Sequence, residues 1–399
     1  MHCRASSRNI LLSLKRAPGR VLLGAKKSVL RINRVSLGVI SSKGINNESQ
    51  QSLVSWSDLP EEFLNLILAK LHFCDYLNSR RVCVTWRAAA KQLNQCQRSP
   101  FLLLPQHKVR DHCCFICPLD GRYWRLNLPG INKKCCYIGF FHGWLMIHKH
   151  HEHSGNTIFF LNPFTGIRID LPQWEGFSEN KRDIRRVAIS SAPTDPNCTV
   201  IILDSSNWRF KFCKVGDDGW RAQSLVGQGL ARDVVAFRGK FYFLGVQTTL
   251  PHRPSSTNST EHLKFEYVWP PYDPHSGERE FCYYLVESGG ELLLVRSDPM
   301  PTTSKPVVAV FGLDQSTLSW VEMKQIGNRV LFLGRWGCAS FSATELGCKE
   351  NQIYFTDSLI YNNTWWLFSM ENGRVVSTPY LQQECPSLSS PIWITPCFV

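Results

Sequence analysis

Apolar residues at Leu64, Ile67, Leu68 and Leu71 follow the i, i+3, i+4, i+7 spacing of one helical face, and Phe63 and Leu66 widen that face beyond a single stripe. Asp58 is placed to cap this helix, with Pro60 in its first turn and Glu61, three residues on, as the second half of a capping box. Asp75 is placed to cap a second, shorter helix carrying Leu77 and Val82. Thr85 is placed to cap a third that opens with Trp86 and continues through Ala88, Ala89 and Ala90. Three such helices within residues 54–97 carry more apolar surface than they can bury against one another, so the pattern predicts a docking module. Four aliphatic side chains buried on a partner at roughly 1.5 to 3 kcal/mol each give a gross gain of about 6 to 12 kcal/mol, a size that offsets the cost of association.

From residue 100 to residue 399 the helical period gives way to short apolar and aromatic runs separated by turn residues, an all-β pattern. Two kinds of turn alternate. The first is at Gly143 in FHGWLMI, Gly239 in FRGKFYFL, Gly289-Gly290 in ESGGELLLV and Asn351 in KENQIYF. The second is at Asp120-Gly121, Thr165-Gly166, Asp218-Gly219, Asp314 to Thr317 and Asn372-Gly373. Successive turns of the second kind recur about every 50 residues, with one near residue 276 supplied by the spacing alone, which is the rhythm of four-stranded propeller blades. Residues 100–399 then hold about six blades, with a pair of β-sandwiches as the competing arrangement. A Gly-Gly doublet stands only at Gly289-Gly290, so any kelch-like repeat is degenerate. Residues 248–280 break the rhythm and read as a loop insertion whose Tyr267, Trp269 and Tyr272 are candidate contacts or simply tucked into the core.

Charge changes the picture at one end only. The formal net charge is +13 over 399 residues, but residues 1–47 hold ten Lys or Arg and no Asp or Glu, leaving 35 basic against 32 acidic residues beyond. Non-specific nucleic-acid binding by the main domain therefore lacks its electrostatic footprint. The leader, residues 1–50, has the composition of a mitochondrial or plastid transit peptide, of a disordered basic tail, or of a nuclear-directing one. No apolar run reaches the roughly 18 to 20 residues that span a bilayer, and no secretory signal is present. Sixteen cysteines without such a signal read as reduced, mostly buried thiols. Cys113, Cys114, Cys117, Cys135 and Cys136, with His148, His150, His151 and His153 beyond, include a C-x2-C spacing that zinc can use. The second cysteine pair is adjacent, and neighbouring strand residues point to opposite faces, so no metal or cofactor is assigned. No phosphate loop, nucleophile elbow or H-E-x-x-H pair occurs, and Asp217-Asp218 sits in a turn, so no catalytic residue is assigned either.

Leu59-Pro60, Ile67-Leu68, Leu71, Asp75, Val82-Cys83 and Trp86-Arg87 stand in the order and spacing of an F-box, which residues 54–97 resemble. The resemblance implies docking onto the Skp-type adaptor of a cullin ubiquitin ligase through Leu59, Pro60, Leu64, Ile67, Leu68, Leu71, Leu77, Val82 and Trp86. Ser79 departs from the pattern, standing where the family usually carries a large apolar residue. The segments FFHGWLMI with LNPFTGIRIDLP, NWRFKFCKVGDDGW with FRGKFYFL, and RVLFLGRWGCASFSA with NQIYFTD resemble a plant family in which an F-box precedes a kelch-like propeller once known only as a domain of unknown function. The combined resemblance implies a non-catalytic substrate-recognition subunit, nuclear or cytoplasmic, binding the adaptor, through it the cullin, and an unidentified protein substrate. Neither nucleic acid nor membrane is an expected partner. Some relatives in the wider family lack the F-box and are directed to mitochondria or plastids. The acid-free leader therefore sustains a second expectation, an organellar interaction protein with a vestigial F-box. A propeller hydrolase or zinc-dependent enzyme is a third, and it requires polar residues converging on the central channel or a bound metal.

Overall fold

The computed structural model describes residues 56–71, 73–92, 100–104, 112–128, 130–131, 134–151, 156–174, 184–204, 209–225, 230–245, 258–260, 263–271, 281–298, 307–356, 364–379 and 391–396. The basic leader, His153, Tyr272 and the turn expected near residue 276 lie outside them. The chain divides into two compact units, Met1–Gln97 and Arg98–Val399.

In the first unit a 3-10 turn, Trp56–Asp58, precedes helices α1 (Glu61–Leu68), α2 (Phe73–Ser79) and α3 (Val84–Gln92). The expected caps are displaced. Pro60, not Asp58, holds the cap position of α1 with an extended ψ of 147°, no side-chain cap forms, and the amides of Phe63 and Leu64 donate to the Pro60 carbonyl. The reason is steric: the proline ring disfavours helical geometry at Leu59, so no helix can run through that residue from Asp58. Helix α2 starts two residues before Asp75, which lies in its first turn, and α3 opens at Val84, so Thr85 is internal. Leu64, Leu68, Leu71, Tyr76, Val82, Trp86, Ala89 and Ala90 form the core of this unit. The Trp86 indole donates to the Trp56 carbonyl (2.8 Å), and the Tyr76 hydroxyl donates to the Ala90 carbonyl, tying the turn and α2 to α3.

The second unit is a ring of six sheets. Blade 1 contains β1 (Phe101–Leu104), β2 (His112–Ile116) and β3 (Tyr123–Asn127), and blade 2 contains β4 (Cys135–Phe141), β5 (Trp144–Lys149), β6 (Thr157–Leu161) and β7 (Arg168–Asp170). Blade 3 is β8 (Ile184–Ile189), β9 (Thr199–Asp204), β10 (Arg209–Lys214) and β11 (Arg221–Ser224). Blade 4 is β12 (Ala231–Phe237), β13 (Lys240–Gly245), β14 (Asn258–Thr260) and β15 (Leu263–Val268). Blade 5 is β16 (Cys282–Ser288), β17 (Glu291–Ser297), β18 (Val308–Asp314) and β19 (Ser319–Met323). Blade 6 is β20 (Arg329–Gly334), β21 (Gly337–Ser342), β22 (Gln352–Phe355), β23 (Thr364–Ser369) and β24 (Arg374–Pro379), with a short helix α4 (Ala343–Leu346) between β21 and β22. The last strand, β25 (Ile392–Ile394), returns to pair antiparallel with β1, Leu102 opposite Trp393. The innermost strands β25, β4, β8, β12, β16 and β21 touch in that order and close on themselves.

The second strand of each blade is covered on both faces, which is why it reads as an unbroken apolar run rather than an alternation. Strand β9 is buried throughout, whereas the outer strand β11 is exposed at three of four positions. Between blades these runs interlock: Ile201, Leu203 and Phe210 against Phe243 and Phe265, and Leu293 and Val295 against Leu331, Leu333 and Ile353.

Apart from the one at Asn351, the expected turns of both kinds that lie among the described residues are hairpins. His142-Gly143, Arg238-Gly239 and Gly289-Gly290 all have positive φ at both central residues, the I′ geometry that matches strand twist, and each joins an innermost strand to the next. At the outer turns Asp120, Asn162, Asp217, Asp314 and Asn372 accept backbone amides through their side chains. Asn351 is not a hairpin residue. It precedes β22, and its side chain accepts from Ile326 N at 2.7 Å, because α4 carries the chain over so that β20 and β22 run parallel. Nor is all of residues 248–280 a loop: Leu263–Val268 is a blade strand, parallel to β13, that buries Phe265 and Val268.

Candidate functional site

On α1, Leu64 and Leu68 point into the core of their own unit, and the next sector around the helix carries Ile67, Phe63 and Leu66 in order of distance from that core. Exposure rises in the same order: Ile67 is half-buried, Phe63 is 40% exposed and Leu66 62%. Trp56 and Val84 are also exposed, and Leu59 and Leu77 are half-buried. This is an apolar surface beside a core that is already complete.

Of the nine residues expected to contact a partner, Leu64, Leu68, Leu71, Val82 and Trp86 are buried within the unit. Packed there, they shape the helices of the free unit. Leu59, Ile67 and Leu77 are partly accessible and Pro60 is exposed. Phe63 and Leu66, which the spacing placed only at the margin of the apolar sector, are its exposed part. Their signal was present, since both fall off the Leu64, Leu68, Leu71 stripe while remaining apolar. Ser79 is fully buried, its hydroxyl donating to the Tyr76 carbonyl at 2.7 Å, so its departure from the usual apolar residue is absorbed inside the unit.

In the propeller the innermost strands surround a cavity of about 380 Å³ lined by residues of β4, β8, β12, β16, β21 and the Arg335-Trp336 turn. An F-box domain profile matches residues 56–98, and the profile described as KIB1-4 beta-propeller matches residues 115–376. The chain belongs to the KIB1-4 beta-propeller family. It is similar to an F-box/kelch-repeat protein of Arabidopsis thaliana, 26% identical, over 88% of this chain and 96% of that one. Two F-box proteins of the same plant are 26% and 24% identical over 89% and 75% of this chain, and 88% and 81% of their own lengths. The coarse function of KIB1-4 propellers that carry an F-box is that of an adaptor-type ligase subunit, which fits the apolar surface of α1.

The other sequence candidates of this KIB1-4 propeller resolve into packing. Cys113 and Cys114 face opposite sides of β2. The Cys113 thiol meets the Tyr137 hydroxyl at 2.9 Å, while Cys114 joins the interface with blade 6. Burial pushes the Cys113 thiol up to about 11. His150 bonds Asn156 at 2.8 Å and His151 bonds Thr157 at 3.3 Å. Among the described residues no three His, Cys, Asp or Glu side chains are grouped to hold a metal. Tyr267 stacks on Phe243 at 5.6 Å and on Trp269 at 6.2 Å, so both candidate aromatics lie against blade 4. Asp217 accepts from Lys214 N at 3.0 Å and pairs with Arg221 at 3.4 Å, a turn role.

Proposed function

We propose that this protein is the substrate-recognition subunit of a Skp-cullin-F-box ubiquitin ligase and is itself non-catalytic. Its F-box binds the Skp-type adaptor, and through it the cullin, while the propeller holds a protein substrate. The observation that carries this reading is the exposed apolar sector of α1, Phe63 and Leu66 with half-buried Ile67, beside a core that needs no further cover. Leu59, Pro60 and Leu77 extend the contact. The mechanism is proximity: two binding events on one chain raise the effective concentration of a substrate lysine near the charged conjugating enzyme. Location in nucleus or cytoplasm goes with this reading.

The test is co-purification from native cells, probing for adaptor and cullin, with wild type and with Phe63→Glu/Leu66→Glu. Charging these two positions leaves the core untouched, so adaptor capture is lost while the fold is kept. Capture retained by the doubly charged chain overturns the assignment of the surface. The acid-free leader favours one second reading, an organellar interaction protein whose F-box is vestigial. A fluorescent fusion that enters mitochondria or plastids and loses its leader, without capturing adaptor, establishes that reading instead.

A further inference from the structure

No further inference is drawn: the strongest candidate, the outer edge of blade 6 along β24, where Val376 is 56% exposed and the strand carries no charge between Arg374 and Pro379, is a sheet edge for which nothing among the described residues shows what covers it.

Discussion

Leu66 and Leu68 are the same residue type on one helix, two positions apart, and truncating each to alanine separates docking surface from core. Leu68 is 1% exposed, so Leu68→Ala removes a fully packed side chain and costs about 2 to 5 kcal/mol. A unit of three short helices cannot absorb that loss, and it melts. Leu66 is 62% exposed, so the free chain loses only the buried third of its transfer energy, under about 1 kcal/mol. In the adaptor complex the accessible part becomes buried, worth about 1 to 2 kcal/mol, and the variant binds roughly 5- to 30-fold more weakly. The assay pairs chemical denaturation of the free chain with calorimetric titration of the purified adaptor. Leu68→Ala should lower the denaturation midpoint, and Leu66→Ala should lower affinity at an unchanged midpoint. Equal destabilisation by both substitutions refutes the division of α1 into two faces, and unchanged affinity in Leu66→Ala refutes the docking surface.

Other expectations concern the propeller. Trp393 is 3% exposed, its ring lies 5.0 Å from Phe332 and its indole donates to the Leu333 carbonyl at 3.1 Å, so Trp393→Ala should cost about 3 to 5 kcal/mol and sensitise the ring to protease. A Cβ on Gly245 would stand 2.6 Å from the Trp269 ring, so Gly245→Ala should destabilise by about 1 to 3 kcal/mol in thermal unfolding. Burial raises Cys113 and Cys117 to about 11, so the folded chain keeps thiol protons that the unfolded chain releases from about pH 8.5. Stability should therefore be flat below that pH and fall as pH rises toward 11, on the order of 2 to 3 kcal/mol per thiol. Urea midpoints at pH 8 and pH 10.5 that differ equally in wild type and Cys113→Ala/Cys117→Ala contradict it.

Much of the propeller was legible because its signals are local. Runs such as Leu292 to Val295 are buried on both faces, and turn residues such as Gly143 and Asp314 act within a few residues of themselves. What was hidden depends on partners distant in the chain. Nothing near Leu263–Val268 announces a parallel pairing with β13, and nothing near Asn351 announces the α4 crossover. Helical spacing marked a broad apolar sector on α1, but which part meets α2 and α3 is decided by packing.

The pairing of β25 with β1 makes the first blade depend on nearly the last residues described. Such non-local closure is slow, and during synthesis the F-box helices leave the ribosome long before the ring can shut. A nascent or prematurely terminated chain that stops before Ile392 keeps the edge of β1 unpaired, an open template for aggregation. Such a fragment retains the F-box helices yet has no closed ring. On the substrate-receptor reading it is expected to compete for adaptor without delivering cargo, so nonsense alleles that stop the chain shortly before Ile392 should act as dominant inhibitors where they escape decay, rather than as simple losses.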